Sequence, residues 1–509
     1  MSPNPDPLSF DEMRLDKIRA IQNSGQPLYP ASYHRKDTIE EIKSRFESAG
    51  HERSEEEVST AGRLFTVRNH GKTIFADLGD ESGKIQLYIR KNDLGEEQFG
   101  FINRFLDRGD IIGVTGHVFR TKVGEMTIWV DKIEILCKSV CALPEKFHGL
   151  KDVEKRYRQR YVDLIVNDDS REIFRIRSRV IALIRRYLDE RGFLEFETPI
   201  LQPVYGGANA RPFTTYHHYL DQKLFLRIAP ELYLKRLIVG GFEKVFEVSR
   251  NFRNEDVDTR HNPEFSMVEI YEAYRDFGDM MMLTEGLLSS LAQAVHGSYE
   301  VPYGEVTLRF SPPFDKLTME EAVRKYADID VMNQTTDELR EKARNLHIGD
   351  YEKPASQREF LVLFFEALVE NKLIQPTFIY DFPVENSPLA KKHRKKEGFT
   401  ERFELFINGM EIANGFSELN DPLDQQARFE VQDAKRRAGD TEAQMIDYDF
   451  INALGYGMPP TGGVGLGIDR LVMLLTNQDS IKEVILFPQM KPESLQAAEN
   501  PDDVKKEGL

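Results

Sequence analysis

The sequence predicts an α+β protein with a small N-terminal β-barrel followed by a larger domain of mixed helices and strands. Its 509 residues exceed what one domain normally contains. Hydrophobic residues make up 40% and charged residues 30%, which is the balance of a globular protein. Short strand-like runs fill residues 58–146, whereas longer helical and strand patterns alternate from residue 151 onward.

The overall charge and the cysteine content exclude several classes. Lys and Arg number 68 against 85 Asp and Glu, a formal net charge of -17, so the chain does not coat DNA nonspecifically. Its two cysteines, Cys137 and Cys141, cannot build a disulfide framework or a four-cysteine zinc site. We find no run of roughly 18 to 20 apolar residues and no secretion signal. We therefore expect a cytoplasmic protein that binds neither membranes nor DNA.

Residues 1–57 are predicted to form a helical extension. Ser9 with Glu12, and Thr38 with Glu41, make capping-box patterns ahead of apolar residues, which predicts two short amphipathic helices. How this extension packs cannot be read from the pattern.

Five β-rich runs separated by glycines occupy residues 58–146: LFTVR, TIFADLG, KIQLYIR, DIIGVTGHVF and EMTIWVDKIEIL. Five short strands at this spacing predict a small closed barrel, and the OB-fold is the five-stranded barrel that binds oligonucleotides. Residues 147–150 are predicted to be a linker. Residues 151–490 form the second domain, with a helical insertion at about 300–375, and residues 491–509 form a polar tail.

A helix with apolar residues three and four apart, from Ile173 to Leu188, leads through Gly192 into a strand that ends near Pro199. By itself this pattern is typical of plain core. Residues 246–274 then predict an antiparallel hairpin whose loop holds Arg250, Arg253, Arg260 and His261. Guanidinium groups suit phosphate oxygens. From charge alone, a solvated turn in which the arginines pair with Glu255, Asp256 and Asp258 is the favoured interpretation.

Two further segments carry candidate chemistry. Residues 461–476 are a glycine run that opens into an apolar helix with Arg470 in its first turn; tight strand-to-helix packing explains it about as well as a ligand site. Glu404, Glu411 and Glu418 lie seven residues apart, and an Asn408-Gly409 turn would bring the first two close together. Paired carboxylates favour a hard cation such as Mg²⁺ held partly by substrate phosphates, with exposed strand glutamates as the alternative.

In this order, these segments resemble the three signature motifs of class II aminoacyl-tRNA synthetases, and most closely the lysine-specific enzymes of subclass IIb, bacterial type. Residues 252–255 with 260–265 resemble motif 2, residues 463–471 resemble motif 3, and the helix and strand ending at Pro199 resemble motif 1. The resemblance covers roughly residues 58–490. It implies an antiparallel six-stranded catalytic sheet flanked by helices, an OB-fold that binds the anticodon, and a homodimer packed through motif 1.

The same resemblance implies a ligase of translation. Such an enzyme activates L-lysine with ATP to lysyl-adenylate and pyrophosphate, and transfers lysine to the 3′-terminal adenosine of tRNA-Lys. Arg253 on the α-phosphate and Arg470 on the γ-phosphate would be catalytic, and Glu404 and Glu411 would bind Mg²⁺. The implied ATP-binding residues are Arg253, Glu255, His261, Phe265, Glu404 and Arg470.

For lysine, the resemblance implies seven binding residues: Gly207, Glu231, Glu269, Tyr271, Asn414, Phe416 and Glu418. An acidic and aromatic pocket suits lysine, because a buried ammonium group must be paired to offset its desolvation. An aspartate pocket would need cationic partners instead. For the anticodon, the implied residues are Arg68, Phe75, Gln86 and Glu125, although Phe75 in a strand is by default a core residue.

Two other functions fit the same family pattern. A catalytically silent paralogue that only binds RNA or proteins would usually have lost Arg253 or Arg470, and both are present. An enzyme that transfers lysine to a protein typically lacks the barrel. Both are therefore disfavoured.

Overall fold

The computed structural model describes residues 10–144, residue 150 and residues 152–492. These fall into two compact units, one that ends before residue 152 and one spanning Asp152–Pro492. Ser9, most of the predicted linker and residues 493–509 of the predicted tail lie outside the described residues. In the described ranges, none of the helices combines the length and apolar character that a membrane span requires.

The described part of the N-terminal unit consists of five strands and four helices. Their bounds are α1 (Glu12–Asn23), α2 (Ile39–Arg45), β1 (Glu57–Asn69), β2 (Thr73–Gly79), β3 (Lys84–Arg90), α3 (Lys91–Leu94), α4 (Glu96–Phe105), β4 (Ile111–Arg120) and β5 (Met126–Cys137).

The five strands close into a barrel in the order β1-β2-β3-β5-β4, which confirms the predicted barrel. Helices α1 and α2 bury Ile21, Ile39 and Ile42 in the same apolar cluster as the barrel interior, so the extension seals this core. The Thr38 and Glu41 side chains form the predicted capping box, whereas α1 begins after Asp11, whose carboxylate accepts from the Met13 amide at 3.0 Å.

The second unit contains the remaining elements. Their bounds are α5 (Val153–Arg158), α6 (Arg160–Val166), α7 (Asp168–Asp189), β6 (Leu194–Glu195), β7 (Leu201–Gln202), β8 (Thr214–His217), β9 (Gln222–Leu226), α8 (Glu231–Val239), β10 (Lys244–Phe252), β11 (Glu264–Ala273), α9 (Phe277–His296), β12 (Glu300–Tyr303), β13 (Val306–Arg309), β14 (Asp315–Thr318), α10 (Met319–Ala327), α11 (Thr336–Asn345), α12 (Gln357–Leu368), β15 (Thr377–Tyr380), β16 (Arg402–Ile407), β17 (Met410–Ser417), α13 (Pro422–Arg437), α14 (Tyr448–Gly455), β18 (Thr461–Gly467), α15 (Ile468–Leu475) and α16 (Ile481–Val484).

An eight-stranded sheet organises this unit, in the order β14-β15-β16-β17-β18-β11-β10-β6. The six strands from β15 to β10 are antiparallel, as predicted, and β14 and β6 add a parallel strand at each edge. Helices α7, α9 and α15 bury their apolar faces against one side of the sheet. Helices α8 and α14 pack in a second apolar cluster with Val245 of β10 and Tyr271 of β11.

The region predicted as a helical insertion, about 300–375, begins with three short strands, β12 to β14, and its helices start only at Met319. Helices α10, α11 and α12 share an apolar cluster around Phe360 and Phe364. This cluster includes Phe406 of β16, so the insertion is anchored to the main sheet.

Candidate active site

One cavity of about 430 Å³ lies on the side of the sheet opposite α7, a volume suited to a small-molecule ligand. All the residues that the sequence predicted for this domain line it: Gly207, Glu231, Arg253, Glu255, His261, Phe265, Glu269, Tyr271, Glu404, Glu411, Asn414, Phe416, Glu418 and Arg470. Side chains more than 200 residues apart therefore meet in one concavity. Its two ends have opposite chemistry.

The first end is acidic and buried. Glu231 begins α8, Glu269 lies on β11 and Glu418 directly follows β17. Glu418 is only 1% exposed, and its Oε1 has no hydrogen-bond partner among the described residues. Burial, reinforced by the charge of Glu231, raises the pKa of Glu269 to about 8. Carboxylates held this close without full compensation favour a cationic ligand.

Lys235 lies beneath these acids and was not predicted from the sequence. Its side chain is fully buried; Nζ lies 2.5 Å from Oε1 of Glu231 and is also ion-paired with Glu418. The spacing of four residues between Glu231 and Lys235 on one helix is the signal that would have indicated this pair. A buried ammonium group beside two acids is otherwise invisible in the sequence, because Lys is normally exposed.

Small residues make room above the acids. Gly207 has a φ of +90°, and a Cβ there would lie 3.1 Å from the Cβ atoms of Ala229 and Glu231. A Cβ at Gly463 would collide with Glu418 and with the ring of Tyr271. The Tyr271 hydroxyl donates to Oε2 of Glu269 at 2.9 Å, which fixes the ring as a wall of the pocket.

The second end is cationic. Arg253 lies over the ring of Phe265, 5.0 Å from its centroid, and its Nε has no partner among the described residues. Arg470, in the first turn of α15, donates through Nη1 to the Glu411 carbonyl at 2.8 Å, and its Nη2 lies 3.1 Å from Nε2 of His261. Two guanidinium groups facing one cavity suit an anion with several phosphates.

The loop is exposed at residues 258–261, as a solvated turn would be, but the predicted pairing of its arginines with Glu255, Asp256 and Asp258 is wrong. Asp258 pairs with His261 at 2.9 Å, and Arg260 donates to the Gly409 carbonyl at 3.1 Å. Among the side chains of the described residues, no hydrogen bond or ion pair joins the loop arginines to Glu255, Asp256 or Asp258. The loop is instead tied to the neighbouring hairpin, which aims Arg253 at the cavity.

A β-bulge aligns the two predicted metal ligands. On the β16–β17 hairpin, Glu404 pairs with Asn414 but Phe406 pairs with Glu411, so one extra residue lies between the two pairs. Ile412 and Ala413 consequently both face the core, while Glu411 and Asn414 share the cavity face with Glu404. In a regular strand, Glu411 and Asn414 would point to opposite faces of the sheet, because they are three residues apart.

The carboxylates of this hairpin fit a divalent cation that phosphates help to hold. Burial and the charge of Glu411 raise the pKa of Glu404 to about 8. The hydrogen bonds of Glu404, from Arg402 at 2.5 Å and Asn414 at 3.3 Å, both fall on Oε1. In the part of the chain that the structure describes, no three His, Cys, Asp or Glu residues are grouped to hold a metal by themselves. Substrate oxygens would have to complete the shell.

A buried charge pair supports the cationic end from behind. Arg177 of α7 lies 2.5 Å from Oδ1 of Asp469, and Oδ2 of the same residue accepts from the Ser266 amide at 2.6 Å. In the chain, Phe265 directly precedes Ser266, and Arg470 directly follows Asp469. Helix α7, whose pattern is typical of plain core, therefore helps to position Phe265 and Arg470.

In the barrel unit, the four predicted anticodon residues lie on or next to adjoining strands. Arg68 and Phe75 are paired across β1 and β2; the Gln86 amide oxygen accepts from Thr127 of β5 at 3.1 Å, and Glu125 directly precedes β5. Phe75 alternates with the buried residues of β2 and so faces away from the barrel core. A row of aromatic rings runs from Phe75 through Tyr88 to Trp129, with 4.9 Å between successive ring centroids. This aromatic row was not predicted.

Comparisons with known proteins agree with both units. Residues 152–491 match the family described as tRNA synthetases class II (D, K and N), and residues 58–136 match the OB-fold nucleic acid binding domain. The chain is 68% identical over 482 residues to a lysine–tRNA ligase of Methanoculleus marisnigri, covering 95% of each chain. It is 52% identical to one of Syntrophomonas wolfei, covering 96% of this chain and 98% of that one. A lysine–tRNA ligase of Nostoc sp. is 50% identical, with 94% and 87% covered.

Proposed function

The chain belongs to the class II tRNA synthetases of the D, K and N family, and we propose that it is a lysine–tRNA ligase that binds lysine at the acidic end of its cavity and ATP at the cationic end. The observation that carries this proposal is the pairing of the two ends: three buried glutamates share one cavity with Arg253 and Arg470. An ammonium side chain and a triphosphate are the ligands that such a cavity complements.

Lysine is held by charge at both of its amino groups. Glu231 and Gly207 receive the α-amino end, and Glu418, Glu269 and Tyr271 receive the side-chain ammonium. Phe416 supplies an aromatic wall, and Asn414 is hydrogen-bonded to Arg402 and Glu404 between the two ends of the cavity. Aspartate and asparagine, the other substrates named in the family description, lack the second ammonium group that would neutralise these acids.

ATP binds with its phosphates between the arginines. Arg253 contacts the α-phosphate and Arg470 the γ-phosphate, while Phe265 stacks on the adenine, Glu255 binds the adenine amino group and His261 faces the phosphates. Glu404 and Glu411 would hold Mg²⁺, which would neutralise phosphate charge when bound.

The first step needs no side-chain base. An oxygen of the lysine carboxylate attacks the α-phosphorus, a new phosphorus–oxygen bond forms, and the bond to pyrophosphate breaks. Arg253 stabilises the charge that develops on the α-phosphate, and positioning of the two substrates supplies much of the remaining effect. A ribose hydroxyl of the tRNA terminal adenosine then attacks the lysyl carbonyl, loses its proton and displaces AMP.

Pyrophosphate exchange into ATP, screened with each amino acid, tests the activity and its specificity together. Lysine should support exchange and the other amino acids should not. Exchange supported by aspartate or asparagine instead of lysine would contradict the pocket assignment.

The barrel binds the anticodon of tRNA-Lys, with Phe75 stacking on a base and Arg68, Gln86 and Glu125 reading base edges. The outward position of Phe75 in a continuous aromatic row supports this role. Phe75→Ala should raise the KM for tRNA about tenfold or more and leave pyrophosphate exchange unchanged, since stacking contributes roughly 1–3 kcal/mol per base. Unaltered charging kinetics would argue against the assignment.

The enzyme works as a homodimer in the cytoplasm. Exposed apolar side chains at Leu194, within the predicted motif 1, and at Ile200 and Leu201, directly after it, support a subunit interface there. Sedimentation equilibrium should give twice the chain mass. A charged residue at Leu201 should yield monomers, and a variant that stays dimeric would place the interface elsewhere.

A further inference from the structure

The buried ammonium group of Lys235 has no part in the contacts assigned above, yet it lies within the acidic end of the cavity. Its side chain is 0% exposed, and its Nζ lies 5.2 Å from the Phe416 ring centroid and 5.9 Å from that of Phe450. Both of its ion-pair partners, Glu231 and Glu418, line the lysine pocket. A fully desolvated cation is retained only where nearby anions compensate it.

Lys235 pairs with only one carboxylate oxygen of each of its two partner acids. Lys235 binds Oε1 of Glu231 and Oε2 of Glu418, so Oε1 of Glu418 stays without a hydrogen-bond partner among the described residues. That oxygen points toward the space kept open by Gly463. The pocket therefore contains one resident ammonium group and one carboxylate oxygen left for a second.

We infer that Lys235 is a positioning residue that keeps Glu231 and Glu418 anionic, so that the substrate's ammonium groups meet carboxylates instead of neutral acids. This rests on the proposed function as a lysine–tRNA ligase. With Glu269 ionised in the lysine complex, the three acids and one resident ammonium carry a net charge of two negatives, which two substrate ammonium groups neutralise. Without Lys235, the acids would repel one another more strongly, and Glu231 or Glu418 would take up a proton in the free protein in addition to the one on Glu269.

The surrounding charges agree with this role. Burial raises the pKa values of Glu231 and Glu418, and in each case the charge of Lys235 is the main influence that lowers them. The pKa of Lys235 itself is raised: its burial opposes the charged form, but the charges of Glu231 and Glu418 outweigh that effect. The charged and titratable groups that face this cluster from neighbouring elements are Glu247, Glu269, Tyr271 and Arg402.

The experiment counts the protons released when lysine binds. Calorimetry at pH 7 in two buffers of different ionisation enthalpy gives this number for the wild type, for Lys235→Met and for Lys235→Arg. Lys235→Met should release about one proton more than the wild type and bind lysine about tenfold or more weakly at pH 7, with the deficit shrinking as pH rises. Its KM for ATP should not change.

Lys235→Arg is the matched control, because it retains the charge. It should release the wild-type number of protons whatever its affinity for lysine. Weaker binding by Lys235→Met with an unchanged proton count would reduce Lys235 to a packing role and overturn the inference. If Lys235→Met does not fold, the arginine variant decides: a changed proton count there also overturns it. Failure of the wild type to exchange pyrophosphate with lysine would instead reject the proposed function.

Discussion

Two buried lysines in this molecule have nearly the same surroundings and different purposes. Lys138 in the barrel unit and Lys235 in the cavity both have fully buried side chains, and each is ion-paired with two carboxylates. Around Lys138 every group is used: Nζ donates to the Phe105 carbonyl at 2.5 Å, to Asp107 at 2.7 Å and to Asp110 at 2.5 Å. Around Lys235 an acid oxygen stays open.

The partners of Lys138 are satisfied by other donors as well. Asp110 accepts from the Asp107 amide at 2.7 Å and the Ser139 amide at 2.9 Å, and Asp107 accepts from Lys17 at 2.6 Å. Burial raises the pKa of Asp107, but hydrogen bonds from Lys138 and Lys17 outweigh this and lower it. A buried charge cluster thus marks a binding site only where its hydrogen-bonding capacity is incomplete.

The largest expected effect tests the cationic end of the cavity. Arg253→Ala should lower the rate of pyrophosphate exchange about 10³-fold or more, because the guanidinium group stabilises charge that develops on the phosphate. Urea unfolding should be nearly unchanged, since Nε of Arg253 has no protein partner among the described residues. Exchange close to the wild-type rate would remove Arg253 from the reaction.

Lys138→Met tests whether the buried lysine of the barrel unit serves stability alone. Leaving Asp107 and Asp110 without their cation should cost about 3–5 kcal/mol of stability in the barrel unit, as for other broken buried pairs. Pyrophosphate exchange, which needs no anticodon contact, should persist at temperatures where the protein stays folded. A loss of lysine affinity with no loss of stability would make the two lysines functionally equivalent, against our distinction.

Glu231→Gln tests the acid cluster around Lys235 in the cavity. Since this acid is paired with Lys235 and lines the cavity, we expect the KM for lysine to rise about 10²-fold while the KM for ATP changes little. Steady-state exchange at varied lysine and varied ATP separates the two constants. Equal losses for both substrates would indicate misfolding and not a lost contact.

A pH dependence follows from Glu269, whose pKa is raised to about 8. The folded free protein holds a proton there that the unfolded chain has released, so the associated stability is present at low pH and is lost as pH rises toward 8. Because lysine binds the ionised carboxylate, its affinity should increase roughly eightfold between pH 7 and 8.5. Glu269→Gln should flatten this profile in calorimetric titrations, and a flat wild-type profile would show that Glu269 is already ionised.

Much of the fold could be predicted because it depends on local patterns. The five strands of the barrel, the hairpin around Arg253 and the glycine run before Arg470 all appear where the patterns of residues 58–146, 246–274 and 461–476 indicated them. The strand predicted between Gly192 and Pro199 is present but much shorter: β6 has only two residues, because its extent is set by pairing with Val245 and Phe246. For Phe75, the strand could be predicted from the sequence, but the face of the strand on which its ring lies could not.

The amino-acid pattern alone established the order of the elements, the residue types of the cavity and the family to which they point, because periodicity, turn chemistry and motif order are properties of neighbouring residues. The extra residue that turns Glu411 toward Glu404, and the ammonium group of Lys235 beneath Glu418, depended on the assembled sheet. Register and burial arise from partners hundreds of residues apart or on another strand. No local pattern specifies which buried acid keeps an open oxygen, and that oxygen distinguishes a binding pocket from a sealed core.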